Sequence, residues 1–346
     1  MDHAWKYSLG KEVKSCPRSE VRSVIEKYFL RRRLLIAEPG ASHLRIPVDI
    51  PQLLETCTFV FARRMRLIAW LSLVVGLLYG TDALIRWWVH RQVDVLNLLM
   101  STMGFLGALL TFYSIRLARR SAAGVIDQLR LSILMQNLRS SDVVGTVSVC
   151  ACICAIWIAG ALLIRFAGWS YEDLVQGFAL FPQRVESGQV YRLITGVLMH
   201  ANLQHLLLNI VGMCVFGSFV EILYGTRTFW LVLVVSTLTG AAGTTLFSPH
   251  ASVGISGGVY GLAFFLVSVS AKEGRAVPVF TRLSAFISIM VSLAISYVAR
   301  EKYDVFAHAF GALGGVVLGI LHRHAMSRLA VWHPGLPLDS VANTIG

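Results

Sequence analysis

Long runs without a charged side chain are the feature that most limits what this chain can form. No Asp, Glu, Lys or Arg lies within residues 95–115, 143–164, 193–220 or 228–271. A helix needs about 20 apolar residues to cross a lipid bilayer. Backbone groups inside lipid must also be hydrogen-bonded within the protein, which a helix achieves by itself. The runs therefore predict membrane-spanning helices.

The run 228–271 is too long for one crossing. The Ser-Pro-His-Ala-Ser segment at 248–252 favours a loop that divides it into two spans. Further spans are predicted at 283–299 and 305–322, and a weaker one at 67–85. Together the runs predict eight helices, a hairpin followed by a six-helix core. The expected fold class is an all-α polytopic membrane protein.

The charge composition separates this prediction from that of a nucleic-acid-binding protein. The chain is 55% hydrophobic and only 14% charged, whereas soluble domains carry about 25% charged residues. Its 31 Lys and Arg residues exceed its 19 Asp and Glu residues, which gives a net charge of +12. A nucleic-acid binder with that net charge would be richer in charged residues. The lipid bilayer is therefore an expected partner, and nucleic acid is not.

The basic residues indicate an orientation. They are concentrated in residues 1–66 and 116–142, and Lys and Arg favour the cytoplasmic side of a membrane. Eight crossings then place both termini in the cytoplasm. The first 30 residues contain no apolar signal segment, which favours a bacterial inner membrane.

The same boundaries predict five regions. They are a basic cytoplasmic N-terminal region, an extra transmembrane hairpin, a cytoplasmic linker, a core domain and a cytoplasmic tail, at residues 1–66, 67–115, 116–142, 143–325 and 326–346. Two interpretations of the first region stay open. Apolar residues among its basic ones fit a small domain or an amphipathic helix on anionic lipid. A solvated tail that only sets the topology fits equally well.

Polar residues inside membrane spans are costly and are therefore candidates for function. Ser256 follows Gly254 and precedes Gly257 and Gly258, and glycines beside a serine leave its hydroxyl uncrowded. The pattern also matches the nucleophile turn of soluble hydrolases, but that turn needs a preceding strand, which an apolar span of this length excludes. The alternative is a helix-packing face of small residues formed by Gly257 and Gly261.

His308 favours the catalytic interpretation of Ser256. Counting crossings, both residues begin helices that run inward, so they lie at similar depth near the outer surface. Gly311 and Gly315 repeat the four-residue glycine spacing of the serine segment, and two such faces allow helices to approach closely. Close contact would let the imidazole act as the general base for the serine hydroxyl. The alternative is a hydrogen-bonded structural histidine.

Two more polar residues are predicted at the same depth. His205 and Asn209 are four apart and therefore share one helix face, where their side chains could hold the oxyanion of a tetrahedral intermediate. Interhelical hydrogen bonding is the alternative role. His200 lies off that face and is expected to be structural. No Glu lies among these histidines in a His-Glu-x-x-His pattern, so neither a metal nor another cofactor is expected.

These blocks resemble the rhomboid family of intramembrane serine proteases. The family pattern has an aromatic-Arg pair, H-x-x-x-x-H-x-x-x-N, G-x-S-G and A-H-x-x-G-x-x-x-G on successive segments. The matching residues, within about 143–325, are Tyr191-Arg192, His200/His205/Asn209, Gly254/Ser256/Gly257 and Ala307-His308/Gly311/Gly315. Gly217/Glu221/Gly225, which close the second core helix, also resemble the family. The commoner Trp-Arg pair is Tyr-Arg here, and the hairpin at 67–115 has no counterpart in the simplest members.

The resemblance implies a role for each matching residue. Ser256 would be the nucleophile and His308 the general base, without a third carboxylate. The side chains of His205 and Asn209 and the Ser256 backbone N–H would form the oxyanion hole. Tyr260 would pack against the His308 ring. The other motif residues would support this site or the helix packing, namely Gly254, Gly257, Arg192, His200, Glu221, Gly311 and Gly315. Asp304, at the outer surface, is expected in a loop or capping role.

The implied activity is a serine endopeptidase that cleaves transmembrane segments of other membrane proteins near the outer leaflet. Its partners would be transmembrane protein substrates with small, helix-breaking residues, since a helix must unwind to expose its scissile carbonyl. The alternative is a non-catalytic rhomboid-like scaffold that binds transmembrane partners. The sequence specifies neither the substrate nor the oligomeric state.

Overall fold

The computed structural model describes residues 4–9, 12–29, 34–91, 95–118, 143–273, 286, 290, 297, 304–322 and 336–337. The chain divides into two compact units. The first unit comprises residues 1–138, 277–280 and 329–346, and the second comprises residues 139–276 and 281–328.

The first unit begins with a small α/β domain. Strand β1 (Trp5–Leu9) pairs antiparallel with β2 (Glu12–Cys16) on one side and with β3 (Leu34–Ala37) on the other. Helix α1 (Arg18–Tyr28) packs on this sheet. The shared core of buried side chains includes Trp5, Val21, Val24, Ile25, Phe29, Leu34, Ile36, Phe61. Of the interpretations left open for residues 1–66, the described part has the form of a small folded domain.

The sheet corrects the all-α prediction for this region. The described structure is otherwise mostly helical, as predicted. The strands were missed because each has at most five residues, too few to show an alternating pattern when charged residues are interspersed. A two-residue strand, His43–Leu44, also pairs antiparallel with Leu336–Pro337 near the C-terminus.

A helical hairpin follows in the same unit. Helix α2 (Pro51–His90) has 40 residues and contains the predicted span 67–85, and α3 (Val95–Ala118) contains the predicted span 95–115. Helix α2 is longer than the predicted span because it begins at Pro51, and the first turn of a helix is a position that suits proline. A gap between charges locates an apolar span but not the ends of a helix, because charged residues continue a helix outside lipid.

The hairpin is held by small and polar residues. A Cβ atom on Gly104 would lie 2.5 Å from the Gly76 Cα atom, so the two backbones are in direct contact. The Ser101 hydroxyl donates to the Gly76 carbonyl at 2.9 Å. The carboxylate of Asp82 accepts hydrogen bonds from Arg86 and Asn97. These contacts explain how an acidic residue is accommodated within an apolar hairpin.

The second unit contains the helices that carry the predicted site. The first core helix is Val144–Phe166, and it is followed by three short helices at Tyr171–Phe178, Pro182–Glu186 and Arg192–Leu198. The His205 helix (Leu203–Tyr224), the bridging helix (Thr226–Phe247), the serine helix (Ser256–Glu273) and the histidine helix (Val305–Leu321) come next. The predicted span 283–299 lies outside the described residues except at 286, 290 and 297.

Several of these helices are long and apolar enough to cross a membrane. In the described part of the chain there are four: Pro51–Val89, Val144–Phe166, Leu203–Tyr224 and Thr226–Phe247. Ser256–Val269 and Val305–Leu321 are shorter apolar helices. The chain is therefore an integral multi-pass membrane protein, while the count of eight spans stays a prediction.

The charge-free run 193–220 is not one helix. It contains the end of Arg192–Leu198, a break at Met199 and His200, and a new start at Leu203. The Asn202 side chain accepts the His205 backbone N–H at 2.8 Å, and such a cap favours a helix start. The structure thus places His200 before the His205 helix and not on it.

The His205 helix contains one wide turn. Residues Met213–Gly217 form a π-helical turn between Leu203–Gly212 and Ser218–Tyr224. In an uninterrupted α-helix Asn209 and Glu221, 12 positions apart (221 − 209), would point about 120° apart, and the extra residue of a π-turn reduces this to roughly 20°. The wide turn therefore brings two buried polar side chains onto nearly the same face.

Candidate active site

The predicted serine and histidine are in direct contact. The Ser256 hydroxyl oxygen lies 2.8 Å from Nε2 of His308, within the range that proton transfer requires. The ring of Tyr260, one turn along the serine helix, stacks on the His308 ring with centroids 4.3 Å apart and planes 15° apart. His308 is buried. The imidazole is therefore held in one orientation toward the hydroxyl.

Glycine contacts bring the two helices together. A Cβ atom on Gly311 would lie 2.2 Å from the Gly257 carbonyl oxygen, and one on Gly315 would lie 2.0 Å from the Gly261 carbonyl oxygen. No side chain fits at these crossings. The helix backbones consequently touch, which brings the first turns that carry Ser256 and His308 within reach of each other.

Asp304 caps the histidine helix. Its Oδ1 atom accepts the backbone N–H groups of Phe306 and Ala307 at 3.1 and 3.0 Å, and its other carboxylate oxygen accepts the Thr244 hydroxyl. Thr244 belongs to the bridging helix. The capping role expected for Asp304 is present, and the link to Thr244 was missed, since no local spacing relates residues 60 positions apart.

The predicted oxyanion donors lie beside the loop that leads into Ser256. Gly254 has φ of +114°, and a Cβ atom there would lie 2.6 Å from Cε1 and 3.0 Å from Nε2 of His205. The same position is 3.7 Å from Nδ2 of Asn209, which also donates to the His205 carbonyl at 3.1 Å. The structure thus brings both side chains to the backbone two residues before the serine.

Arg192 positions that loop from a distance. Its buried guanidinium donates to the carbonyls of Ala179 and Gln176 at 2.7 and 2.8 Å and to the Gln189 side chain at 2.7 Å. The adjacent Leu180 pairs through both backbone groups with Ser252, at 3.0 and 2.9 Å. Arg192 therefore holds the strand-like segment to which the loop before Ser256 is bound.

Glu221 joins the first turn of the helix Val144–Phe166 to the first turn of the bridging helix. Its buried carboxylate accepts the Gly145 and Thr146 N–H groups at 2.7 and 2.9 Å and the hydroxyls of Thr146 and Thr226 at 2.9 and 2.8 Å. The first turn of a helix has N–H groups without an intrahelical acceptor. The carboxylate supplies that acceptor for the first core helix, which is a structural role.

His200 lies behind His205. Its ring is buried and contacts the His205 ring edge to face, with centroids 5.2 Å apart. The Leu198 backbone also interacts with the ring as a hydrogen-bonding group. The structural role expected for His200 stays a prediction.

The described residues form no cluster of three or more His, Cys, Asp or Glu side chains that could hold a metal ion. The groups that the described site offers for chemistry are the serine hydroxyl, the imidazole that contacts it and the donors beside Gly254.

Comparison with known proteins shows a similarity over the second half of the chain. Residues 187–325 match the Rhomboid domain. Rhomboid protease GluP of Bacillus subtilis is 27% identical over 144 residues, which are 42% of this chain and 28% of that protein. Putative rhomboid protease YdcA of the same organism is 29% identical over 154 residues, 44% of this chain and 75% of that protein. RHOMBOID-like protein 2 of Arabidopsis thaliana is 32% identical over 143 residues, 40% and 44% of the two chains.

The matched segment begins 44 residues after the predicted start of the core domain (187 − 143), so the boundary at 143 stays a prediction. It contains every motif residue on which the sequence resemblance rests, from Tyr191 to Gly315. The resemblance is thereby confirmed for this segment: residues 187–325 are similar to the Rhomboid domain.

Proposed function

We propose that this chain is an intramembrane serine endopeptidase that cleaves transmembrane segments of other membrane proteins near the outer leaflet. The observation that carries the proposal is the 2.8 Å contact between the Ser256 hydroxyl and His308 Nε2. The names of the relatives support the same class of enzyme, since two of them are called rhomboid proteases.

The first half of the reaction forms an acyl-enzyme. His308 accepts the hydroxyl proton as the Ser256 oxygen attacks the scissile carbonyl carbon. The oxyanion that forms accepts hydrogen bonds from His205, from Asn209 and from the Ser256 backbone N–H. This N–H is in the first turn of the serine helix and therefore has no acceptor within the helix. The imidazolium then donates its proton to the leaving amine as the C–N bond breaks.

The second half regenerates the serine. His308 accepts a proton from water, the resulting hydroxide attacks the acyl carbonyl, and the imidazolium returns the proton to the Ser256 oxygen as the ester bond breaks. Water must reach this point inside an apolar protein. A water-filled recess would supply it, with a polar lining made of His205, Asn209, Ser256 and His308.

The test is cleavage of a single-span substrate protein by the purified full-length chain in liposomes. Wild-type protein is expected to cleave, and Ser256→Ala and His308→Asn are each expected to abolish cleavage. Ser187→Ala changes an exposed serine and is expected to have no effect. Full activity in Ser256→Ala would overturn the proposal. Failure of a fluorophosphonate probe to label Ser256 in folded protein would favour the non-catalytic scaffold.

We also propose that both termini lie in the cytoplasm, with the protein in a bacterial inner membrane. The pairing of His43–Leu44 with Leu336–Pro337 supports a common side for the two ends, because segments of one sheet cannot be separated by a bilayer. Reporter fusions at each terminus that are active only in the cytoplasm should both be active. Activity of only one of them would contradict this topology.

A further inference from the structure

The helical hairpin of the first unit carries a group of arginines at the end that joins the small α/β domain. Helix α2 runs without a break from that domain into the apolar span, and Arg63 and Arg66 are exposed where the span begins. Arg86, at the other end of the span, follows Arg66 by 20 residues (86 − 66), which is about 30 Å at 1.5 Å per residue. The hydrocarbon core of a bilayer has the same thickness. Arg66 therefore lies at the boundary between hydrocarbon and headgroups.

An aromatic pair contributed by the two helices lies directly beside this boundary. The rings of Trp70 on α2 and Phe112 on α3 pack edge to face, with centroids 5.9 Å apart. Both side chains are exposed, Trp70 to 57% and Phe112 to 36%. Tryptophan is enriched at the level where hydrocarbon meets the headgroups. The pair thus indicates the same membrane level on both helices.

The pair also indicates where arginines of the two helices lie. Arg66 precedes Trp70 by four residues, and Arg116 follows Phe112 by four residues. Residues four apart share a helix face, and the two helices run in opposite directions. Both exposed arginines therefore lie one turn, about 6 Å, from the aromatic pair, on the same side of the hairpin and toward the α/β domain. The Nε atom of Arg66 donates to the Ala62 carbonyl at 3.4 Å, which leaves its terminal N–H groups for a ligand.

The helices that carry this positive charge do not neutralise it. No Asp or Glu lies within residues 56–81 or 95–118. Among the described residues, no carboxylate forms an ion pair with Arg63, Arg66 or Arg116. Neighbouring like charges repel each other, so an anion placed beside them would be stabilised.

The neighbouring helix α1 brings a further arginine to the same face of α2, together with a carboxylate. Arg22 lies over the Phe59 ring, 5.9 Å from its centroid, and Phe59 precedes Arg63 by four residues. Arg22 is itself paired with Glu26 at 3.0 Å. This carboxylate is thus already bound by an arginine, and the net charge of the group stays positive.

We propose that this end of the hairpin binds the headgroup of one anionic phospholipid. Arg66 and Arg116 hold the phosphate, because the N–H groups of a guanidinium match two phosphate oxygens. Trp70 and Phe112 contact the first part of the acyl chains. A zwitterionic lipid fits less well, since its ammonium group would lie among arginines. This binding goes beyond the proposed proteolysis and does not require it, because the proposed catalytic pair lies on other helices.

The test is photo-crosslinking of the full-length protein in phosphatidylcholine vesicles. The vesicles contain a small fraction of phosphatidylglycerol or of phosphatidylcholine, each with the same diazirine near the start of one acyl chain, and adducts are mapped by peptide mass spectrometry. Phosphatidylglycerol should label residues 67–71 and 109–113 at least about fivefold more than phosphatidylcholine does. The same ratio is expected in Ser256→Ala protein, which separates this result from the proposed proteolysis.

Two double variants distinguish this site from a general effect of positive charge. Arg66→Gln/Arg116→Gln removes the proposed phosphate ligands and should reduce labelling by phosphatidylglycerol to the level of phosphatidylcholine. Arg18→Gln/Arg165→Gln removes two exposed arginines elsewhere and should leave the labelling unchanged. Circular dichroism checks that both variants are folded. Equal labelling of the wild-type protein by the two lipids would overturn the proposal, and so would equal labelling of the two double variants by phosphatidylglycerol.

Discussion

Gly315 lies against Gly261 so closely that a Cβ atom on Gly315 would be 2.0 Å from the Gly261 carbonyl oxygen. The serine and histidine helices consequently pack backbone against backbone. Since Ser256 lies five residues before Gly261 and His308 seven before Gly315, this crossing sets the separation of the two reactive side chains. The geometry of the site therefore depends on the glycines at this helix crossing.

Substitution of Gly315 by Ala should push the two helices apart. Overpacking of this kind costs about 1–3 kcal/mol, so the thermal unfolding temperature in detergent should fall, and the cleavage rate should fall with it as the 2.8 Å contact between Ser256 and His308 lengthens. Gly177→Ala is the matched control, because nothing lies within 4 Å of a Cβ atom there. Equal stability of the two variants would refute the packing argument.

Substitution of Gly254 by Ala should displace His205. The added methyl group would lie 2.6 Å from the imidazole, and loss of one oxyanion donor lowers kcat by about 10²–10³. Gly188→Ala provides the control, since Gly188 also has a positive φ, +100°, but has nothing within 4 Å. Both variants carry similar backbone strain. A comparable loss of kcat in both would show that strain, and not His205, is responsible.

Asp304 should behave as a positioning residue for His308. Asp304→Ala removes the helix cap, at a cost of about 0.5–2 kcal/mol, and the contact with Thr244. Asp304→Asn should retain most of the stability and kcat, because asparagine caps as well as aspartate. Thr244→Val should show an intermediate loss of kcat with an unchanged KM. Loss of all activity in Asp304→Asn would instead indicate that the negative charge takes part in catalysis.

Glu221 should matter for stability more than for chemistry. Glu221→Ala leaves the N–H groups of Gly145 and Thr146 without the acceptor seen here, and each unsatisfied buried group costs about 1–3 kcal/mol. The unfolding temperature should fall sharply, with KM nearly unchanged in the protein that remains folded. Glu172→Ala, which removes an exposed carboxylate, should change the unfolding temperature little.

The positions of several helices along the chain follow from the spacing of charged residues. The predicted spans 143–164 and 305–322 correspond to Val144–Phe166 and Val305–Leu321, because exclusion of charge from lipid is a local property of the chain. The sheet of the N-terminal domain was not predictable in the same way. Its strands are short, and β3 pairs with β1 across Arg18–Tyr28, so part of their stability comes from contacts between distant segments.

The features of the candidate site also differ in whether the sequence predicts them. Residue type and four-residue spacing predict Ser256, His308, His205, Asn209 and the two glycine faces, because helical periodicity is a property of the local sequence. The break at Met199–His200 and the π-helical turn at Met213–Gly217 had no such signal.

The amino-acid sequence specifies which segments are apolar enough for a membrane, which polar residues they carry and which helix faces contain glycine. The packing of the helices is what brings Ser256 to 2.8 Å from His308, bonds Asp304 to Thr244 and lets Arg192 hold the segment that binds the loop before the serine. These contacts join residues far apart in the chain, and their geometry depends on how whole helices pack, which no local pattern specifies.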